Sequence, residues 1–599
     1  MTAAGGGGEP PKAKGELGEM QRQLKALAGK PSTTKEAAAQ KRELFKRVLY
    51  YLTVGIDMAP LFSEMILNSA TPDVASKKVL YHYITHYAET NQDLALLTVN
   101  TLQKDTRDAD PTIRGLAIRS LSSLRVPDLA EYLVSAVKAG LEDRHPYPRK
   151  AAALGALKCW DLDREQAEAA GVVQALRDLL LTDSDASVVA NCLLVLRETD
   201  GVAGALTRKE TLYHLLNRLR EFDEWGQCRV LELASHYTPE SPEETFDLMN
   251  ALEDRLTHAN GAVVLATVKI FLNATLTMPS THQQVYDRIK TPLLTLATTA
   301  RTGELAYGIW AHLNLLVQRA PALFCTDYKS FFVRQSDLAA VKSLKLEALT
   351  TVADAQNAYD IATELSEYVA DVDEALSRQA VQAVGRIALG CPDAAGITDR
   401  LLQFLDMGSD HVQAEALVVV KDILRRYPER ADDCVVALGS LDLAAVAEPQ
   451  ARAALAWALG EYGQALPEAP YQLEAVLEAL DEEESPAVRL EALTAGMKLF
   501  FKRAPEMQRG LGRGLAAGCA DTHQDVHDRA MMYYRLLEHD VHEASRVVGC
   551  EKEAVAAFAD AARASENVDR VFEEFNTLAV LYRRPSYAFL EEAPAGARA

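Results

Sequence analysis

Residues Asp108–Ala117 read DADPTIRGLA, and this decamer decides the fold. An acid opens a turn, a second acid precedes proline, and an Ile-Arg pair leads into a run of small and apolar residues. Asp followed by Pro is a helix start, because an N-cap carboxylate accepts a free amide and proline's missing N–H lacks an intrahelical partner anyway. Working outward, Ile113, Leu116, Ala117, Leu121 and Leu124 follow the spacing of an amphipathic helix. After the short linker Pro127-Asp128, so do Leu129, Leu133, Ala136, Val137 and Leu141. The spacing predicts two helices joined by a tight turn.

The decamer recurs in altered form as DRHPYPRKAA (Asp143–Ala152), DSDASVVANC (Asp183–Cys192), HANGAVVLAT (His258–Thr267), DVDEALSRQA (Asp371–Ala380), GSDHVQAEAL (Gly408–Leu417) and EESPAVRLEA (Glu483–Ala492). Arg114 to Arg149 spans 35 residues, Pro148 to Val188 spans 40, and Val412 to Val488 spans 76, or two units of 38. A period of about 35–47 residues with two helices per unit is the signature of HEAT and armadillo repeats. The expected fold is therefore all-α, a right-handed HEAT/armadillo-like α-solenoid of about 14 helical hairpins. Each hairpin has an apolar face that only its neighbours can cover. The absence of strand patterning argues against a Rossmann-type or barrel enzyme.

Residues 1–35 hold GGGG, paired prolines and PSTT, and read as a flexible basic segment with room for a short helix over Gly15–Ala28. Residues 36–589 form the expected trunk, and 590–599 a short tail. Apolar residues make up 48% of the chain, charged residues 25% and aromatic residues only 7%, which favours helices over sheets. The net charge of −22 argues against nucleic acid as the main partner. Residues 1–50 nevertheless carry +5. That basic end either orients the chain on an anionic surface or is a solvated helix face. The N-terminus lacks the apolar core of a signal peptide, and no run of about 18 apolar residues is present.

Little in the chain points to catalysis. His82 and His86, and His523 and His527, are four apart, but no HExxH pattern or third ligand accompanies them. Gly510, Gly512 and Gly514 alternate in GLGRG without a preceding strand. The eight cysteines are scattered and form no CxxC pair, so they read as small apolar residues. No catalytic residue, metal or cofactor is expected.

Longer segments resemble one family. TVGIDMAPLF (Thr53–Phe62), KKVLYHYITHYA (Lys77–Ala88), DLALLTVNTLQKDTRDADPTIRGLAIRSLSSLRV (Asp93–Val126), EWGQ (Glu224–Gln227), ARAALAWALGEYG (Ala451–Gly463) and DVHDRAMMYYRLL (Asp525–Leu537) resemble the N-terminal trunk of β-adaptins. The likeness runs from about Gly15 to about Phe589. HLLNRLREFDEWGQC (His214–Cys228), PEAPYQLE (Pro467–Glu474), FFKRAPE (Phe500–Glu506) and FNTLAVLYRRPSY (Phe575–Tyr587) look most like the β subunit of adaptor protein complex four, in its plant or algal form. The β subunits of complexes one and two are the next alternatives.

The resemblance implies a heterotetramer with medium, small and second large subunits. It implies recruitment to the trans-Golgi network by a GTP-bound Arf-family GTPase, peripheral contact with anionic membrane, and cargo sorting. In related β subunits an apolar pair meets the GTPase, here Leu96 and Val99, three apart on one helix face. A basic strip meets phosphoinositides in the plasma-membrane relative, here Lys41, Arg42, Lys46 and Arg47. Ala37, Ala38 and Gln40 replace other lysines of that strip. The family's aromatic N-terminal plug has no counterpart in MTAAGGGGEPP. A typical hinge, β-sandwich ear and clathrin box are expected to be missing, which makes clathrin an unlikely partner of this chain. A nuclear-transport receptor, also acidic and HEAT-like, is the alternative from another class.

Overall fold

The computed structural model describes residues 13–28, 35–124, 126, 129–201, 206, 208–390, 395–550 and 560–589. Those residues form α-helices joined by short turns and 3-10 segments, with no strand among them. The chain divides into two compact units, residues 1–279 and 280–599.

In the first unit the leading helices of successive hairpins form one layer. Pro111–Ser122 packs on Pro146–Leu162, which packs in turn on Ala186–Asp200. The helix Ala130–Leu141 lies against Pro146–Leu162 from the other layer. Ala152, Ala153 and Ala156 are completely or almost completely buried, so the alanine-rich repeat positions are where the helix backbones come close. At the unit's start, the helix Ala13–Ala28 buries Met20 and Leu24. It packs against Phe62–Leu67, and Asn68 donates to the Leu24 carbonyl at 2.9 Å.

The second unit repeats the scheme. Gly303–Arg319, Ala339–Val352, Glu374–Gly390, Asp410–Arg426, Pro449–Tyr462 and Pro486–Lys502 pack in sequence, each on the next. GLGRG lies inside the helix Ala504–Cys519. A Cβ on Gly514 would stand 2.7 Å from Leu477, so the glycine permits a close crossing with Ala469–Glu478. Gly510 likewise lies against Glu474, whereas nothing stands within 4 Å of a Cβ on Gly512.

The recurring decamer builds a polar ladder along the turns. Its first residue accepts the amide two positions on, as in Asp110 to Asp108 at 2.9 Å, His145 to Asp143 at 2.8 Å and Asp185 to Asp183 at 2.8 Å. Its third residue caps the helix; Asp110 accepts from Thr112 and Asp185 from Ser187. Its seventh residue, where arginine, reaches the next turn. Arg114 donates to both oxygens of Asp143 at 2.7 and 2.9 Å, and Arg149 to both of Asp183 at the same distances. Each arginine also donates to two carbonyls of its own turn, Asp108 and Ala109 for Arg114, Asp143 and Arg144 for Arg149. In the second unit Arg452 pairs with Glu483, and Arg489 lies 3.2 Å from Asp521. A bidentate guanidinium–carboxylate pair is among the strongest polar contacts available to a protein.

The Arg114 hydrogen bond holds the Asp143 carboxyl below its usual range, against the cost of burial. Burial opposes ionisation of Asp183, but Arg149 and the Asp185 amide outweigh it, and its pKa is lowered too. Depressed folded pKa values mean that this stabilisation is complete above the unfolded value of about 3.9 and is lost as the pH falls through the folded values. The melting temperature of the first unit should therefore drop steeply below about pH 4. At neutral pH, Asp183→Asn keeps the turn acceptor but leaves Arg149 facing a neutral group; its own side chain is only 1% exposed. Breaking such a pair should cost roughly 3–5 kcal/mol. A thermal melt unchanged by this substitution would remove the ladder from the account of stability.

Candidate interaction surfaces

The helix Lys35–Thr53 positions the basic strip. Leu44, Phe45 and Val48 are buried, and Lys41 completes their i, i+3, i+4, i+7 stripe. Lys41 is accordingly 5% exposed, over the Phe45 ring, with its ammonium 3.5 Å from the Ala70 carbonyl. Burial pushes its pKa down to about 8. The expectation that it faces outward is corrected: helical periodicity places it on the core side. Arg42 is exposed but engaged, donating to both oxygens of Asp73, one at 3.0 Å. Asp73 is also the N-cap of the helix Val74–Tyr87, accepting from the Ser76 amide at 2.9 Å. Chiefly because of the Arg42 bond, its carboxyl is held at about 2. Lys46 pairs with Glu43 at 3.0 Å, an exposed contact of small energetic value. Arg47 is exposed.

Leu96 and Val99 do not share one continuous helix. The helix Gln92–Leu96 ends, Leu97 and Thr98 form a turn, and a second helix runs Val99–Asp105. Leu96 is half-buried and Val99 only 5% exposed, whereas Leu97 is 62% exposed. The second helix is anchored from beneath. Lys77 lies 2.6 Å from Asp105, both buried, and the Tyr81 hydroxyl donates to the same carboxylate. Burial and then that hydrogen bond raise the Tyr81 pKa. Ser69 and Thr101 hydroxyls meet at 3.2 Å. Val99 and Leu102 thus belong to the core, and the turn at Leu97 is the accessible apolar feature.

Trp225, in the first turn of the helix Glu224–Ser235, is 76% exposed. The sequence marked EWGQ only as a family string, and nothing local to it tells an exposed tryptophan from a buried one. His82 and His86 are exposed, and His523 stands just before the helix Gln524–His539, without a side-chain capping bond. Among the described residues no group of three His, Cys, Asp or Glu side chains could hold a metal ion. The seven described cysteines are free thiols, and burial pushes Cys159 and Cys192 up to about 12. Among the described residues no helix is long and apolar enough to cross a membrane.

Comparison with known proteins gives a consistent result. A family described as the adaptin N terminal region matches residues 18–541. The Arabidopsis thaliana protein named beta-adaptin-like protein A is 51% identical over 597 residues, covering 98% of this chain and 70% of that protein. Mouse AP-4 complex subunit beta-1 is 34% identical, covering 92% of this chain and 74% of its own length. Mouse AP-1 complex subunit beta-1 is also 34% identical, covering 96% and 61%. A solved-structure comparison with a homology model of the full-length AP-3 complex gives a TM-score of 0.55 at 20% identity, over 87% of this chain and 93% of that one. That likeness shows the fold.

The buried and exposed members of the Leu96–Val99 segment predict opposite outcomes. Val99→Asp puts a charge into an apolar interior, which costs several kcal/mol, so the melting temperature should fall sharply. Leu97→Asp should stay within about 0.5 kcal/mol of the parent. Equal melts for the two variants would contradict this placement.

Proposed function

This chain belongs to the adaptin family as a β-adaptin, and we propose that it is the β-type large subunit of adaptor complex four, acting as a non-catalytic scaffold in vesicle transport. The adaptin match spanning residues 18–541 carries the scaffold part of this reading. A repeated helical hairpin offers a long continuous surface rather than a cleft, which suits a subunit that holds partners. In this reading the partners are a medium, a small and a second large subunit, and the complex binds peripherally at the trans-Golgi network.

Overall identity to the mouse AP-4 and AP-1 β subunits is equal, so the complex-four assignment rests on the local segments His214–Cys228, Pro467–Glu474, Phe500–Glu506 and Phe575–Tyr587. We further propose that a GTP-bound Arf-family GTPase contacts the turn at Leu96 and Leu97, with Val99 supporting it from the core. Arg47 and Lys46 are the outward basic residues of the former strip.

Co-expression tests the assignment. The chain should form a stable complex with the medium subunit of complex four and a weaker one, or none, with that of complex one. Preference for the latter would overturn the complex-four reading, and failure with both would overturn the scaffold role. In the assembled complex, changing Leu96 and Leu97 to Asp should reduce capture by immobilised GTP-bound Arf about tenfold or more, since burying one leucine is worth about 1.5–3 kcal/mol. Undiminished capture would place the GTPase elsewhere.

A further inference from the structure

The end of the chain returns to the beginning of its own unit. The helices Asp560–Glu573 and Leu578–Tyr582 lie on Gly303–Arg319. Phe572, Phe575, Ala579 and Val580 are buried there. The Phe575 ring meets His312 edge-on at 4.9 Å, and Arg319 stacks on Phe572 at 3.7 Å while lying 3.2 Å from Asp569. The Tyr307 hydroxyl donates to the Leu581 carbonyl at 2.9 Å, and Arg583 pairs with Glu347. Among the described residues, the non-glycine positions with left-handed backbone are Asn576 (φ 62°) and Arg583 (φ 56°), one on each side of the short helix. Such conformations persist only where surrounding contacts hold them. This strap therefore depends on those contacts, together with the Arg583 C-cap of its short helix, to stay closed.

The strap ends in Arg583-Arg584-Pro585-Ser586. Arg583, Arg584 and Tyr587 are exposed and Ser586 is half-buried. The Ser586 amide donates to both oxygens of Glu574, at 3.1 and 3.2 Å. The Tyr587 hydroxyl next to it accepts from Arg570 at 3.0 Å.

We propose that Ser586 is a phosphorylation site for an arginine-directed protein kinase, and that its phosphate releases the strap. Kinases with an acidic substrate groove take arginines two and three residues before the acceptor, the places of Arg584 and Arg583. In the transfer, Ser586 Oγ forms a bond to the γ-phosphorus of ATP as the bond to the β–γ bridging oxygen breaks. The hydroxyl proton goes to the kinase's carboxylate base, and ADP leaves. The product carries a charge of about −1.5 to −2. It arrives beside the Glu574 carboxylate that now seats the Ser586 amide, and like charges at that range repel. Losing this seat frees Arg583 from its left-handed position and uncovers Tyr307, His312 and Arg319. The proposal stands independently of which adaptor complex the chain serves.

The test treats the full chain with the catalytic subunit of cyclic-AMP-dependent kinase and ATP, maps the phosphate by mass spectrometry, and follows amide hydrogen exchange. We expect phosphate on Ser586 and exchange in 303–319 and 570–589 faster by about tenfold or more. Ser586→Ala, treated alike, should exchange as the untreated parent. Arg584→Ala leaves the Glu347 pair in place and should reduce phosphorylation several-fold. Glu574→Gln should accept phosphate yet keep the strap's slow exchange. Absence of phosphate on Ser586 in the folded chain, or exchange unchanged by its presence, would overturn the proposal. A phosphorylated Glu574→Gln variant as open as the phosphorylated parent would overturn the charge mechanism.

Discussion

An arginine that serves its own turn and the next one is the contact on which the stack depends. A solenoid has no single core to fix the register of its hairpins; each touches only its neighbours. Apolar packing supplies most of the attraction but is non-directional and tolerates slippage. Arg114 and Arg149 remove that freedom by tying two carbonyls of one turn to a carboxylate of the following one. The same carboxylate accepts an amide within its own turn. Where the seventh position is not arginine, other residues meet the demand. Val189 occupies it in the third decamer, and Arg218 from the following hairpin donates to the Asp183 and Ser184 carbonyls instead. In the second unit Lys342 reaches Asp371 at 3.3 Å, while Ser377 donates to the Val369 carbonyl at 2.7 Å. The constraint is constant, and the residues that satisfy it vary.

This explains why the fold was legible in the sequence. The acid, the cap, the proline and the arginine are local features with fixed spacing, and Pro111, Pro146 and Pro486 do stand at helix starts. The candidate sites were less legible, for two different reasons. Lys41 was grouped with Arg42, Lys46 and Arg47 by charge, although the 3.6-residue period already aligned it with Leu44, Phe45 and Val48. Periodicity should outrank charge when a lysine falls within an apolar stripe, because its stem packs well and its ammonium needs only an acceptor nearby. The break between Leu96 and Val99 is a harder case. Neither proline nor glycine marks it, and Leu97-Thr98 would be acceptable within a helix. Tertiary anchoring of Val99–Asp105 through Lys77 and Tyr81 settles the matter, and one sequence carries no local sign of that.

The strap lies beyond any local reading. Tyr307 and Leu581 are 274 residues apart, and Arg583 and Glu347 are 236 apart. Repeat periodicity describes near neighbours and is silent about such returns. Physically the strap differs from the rest of the second unit. The stacked helices are local in sequence and can propagate from any starting point, whereas the strap must pay the closure entropy of a long loop before its contacts form. It joins a cooperative stack through Asp560–Glu573 and the short helix Leu578–Tyr582, the latter flanked by two left-handed residues. Elements of that kind sit at the low end of the stability range and are the ones that open first.

The ladder also bears on how this protein meets a charged surface. Its arginines are matched by acids, so they add nothing to the outward field. The basic end behaves similarly. Lys25 lies 3.4 Å from buried Glu64, Arg42 is spent on Asp73, Lys46 on Glu43, and Lys41 is in the core. Two of the ten basic residues in the first 50 are thus paired with acids from outside that segment, and the body beyond it is strongly acidic. Attraction to an anionic bilayer amounts to about 1 kcal/mol for each basic residue held at its surface. Of the four residues of the expected strip, Arg47 and Lys46 are the ones left outward, with about 2 kcal/mol of such attraction between them. Under the proposed membrane association, exposed apolar groups such as Leu97 and Trp225 remain open for contacts of another kind.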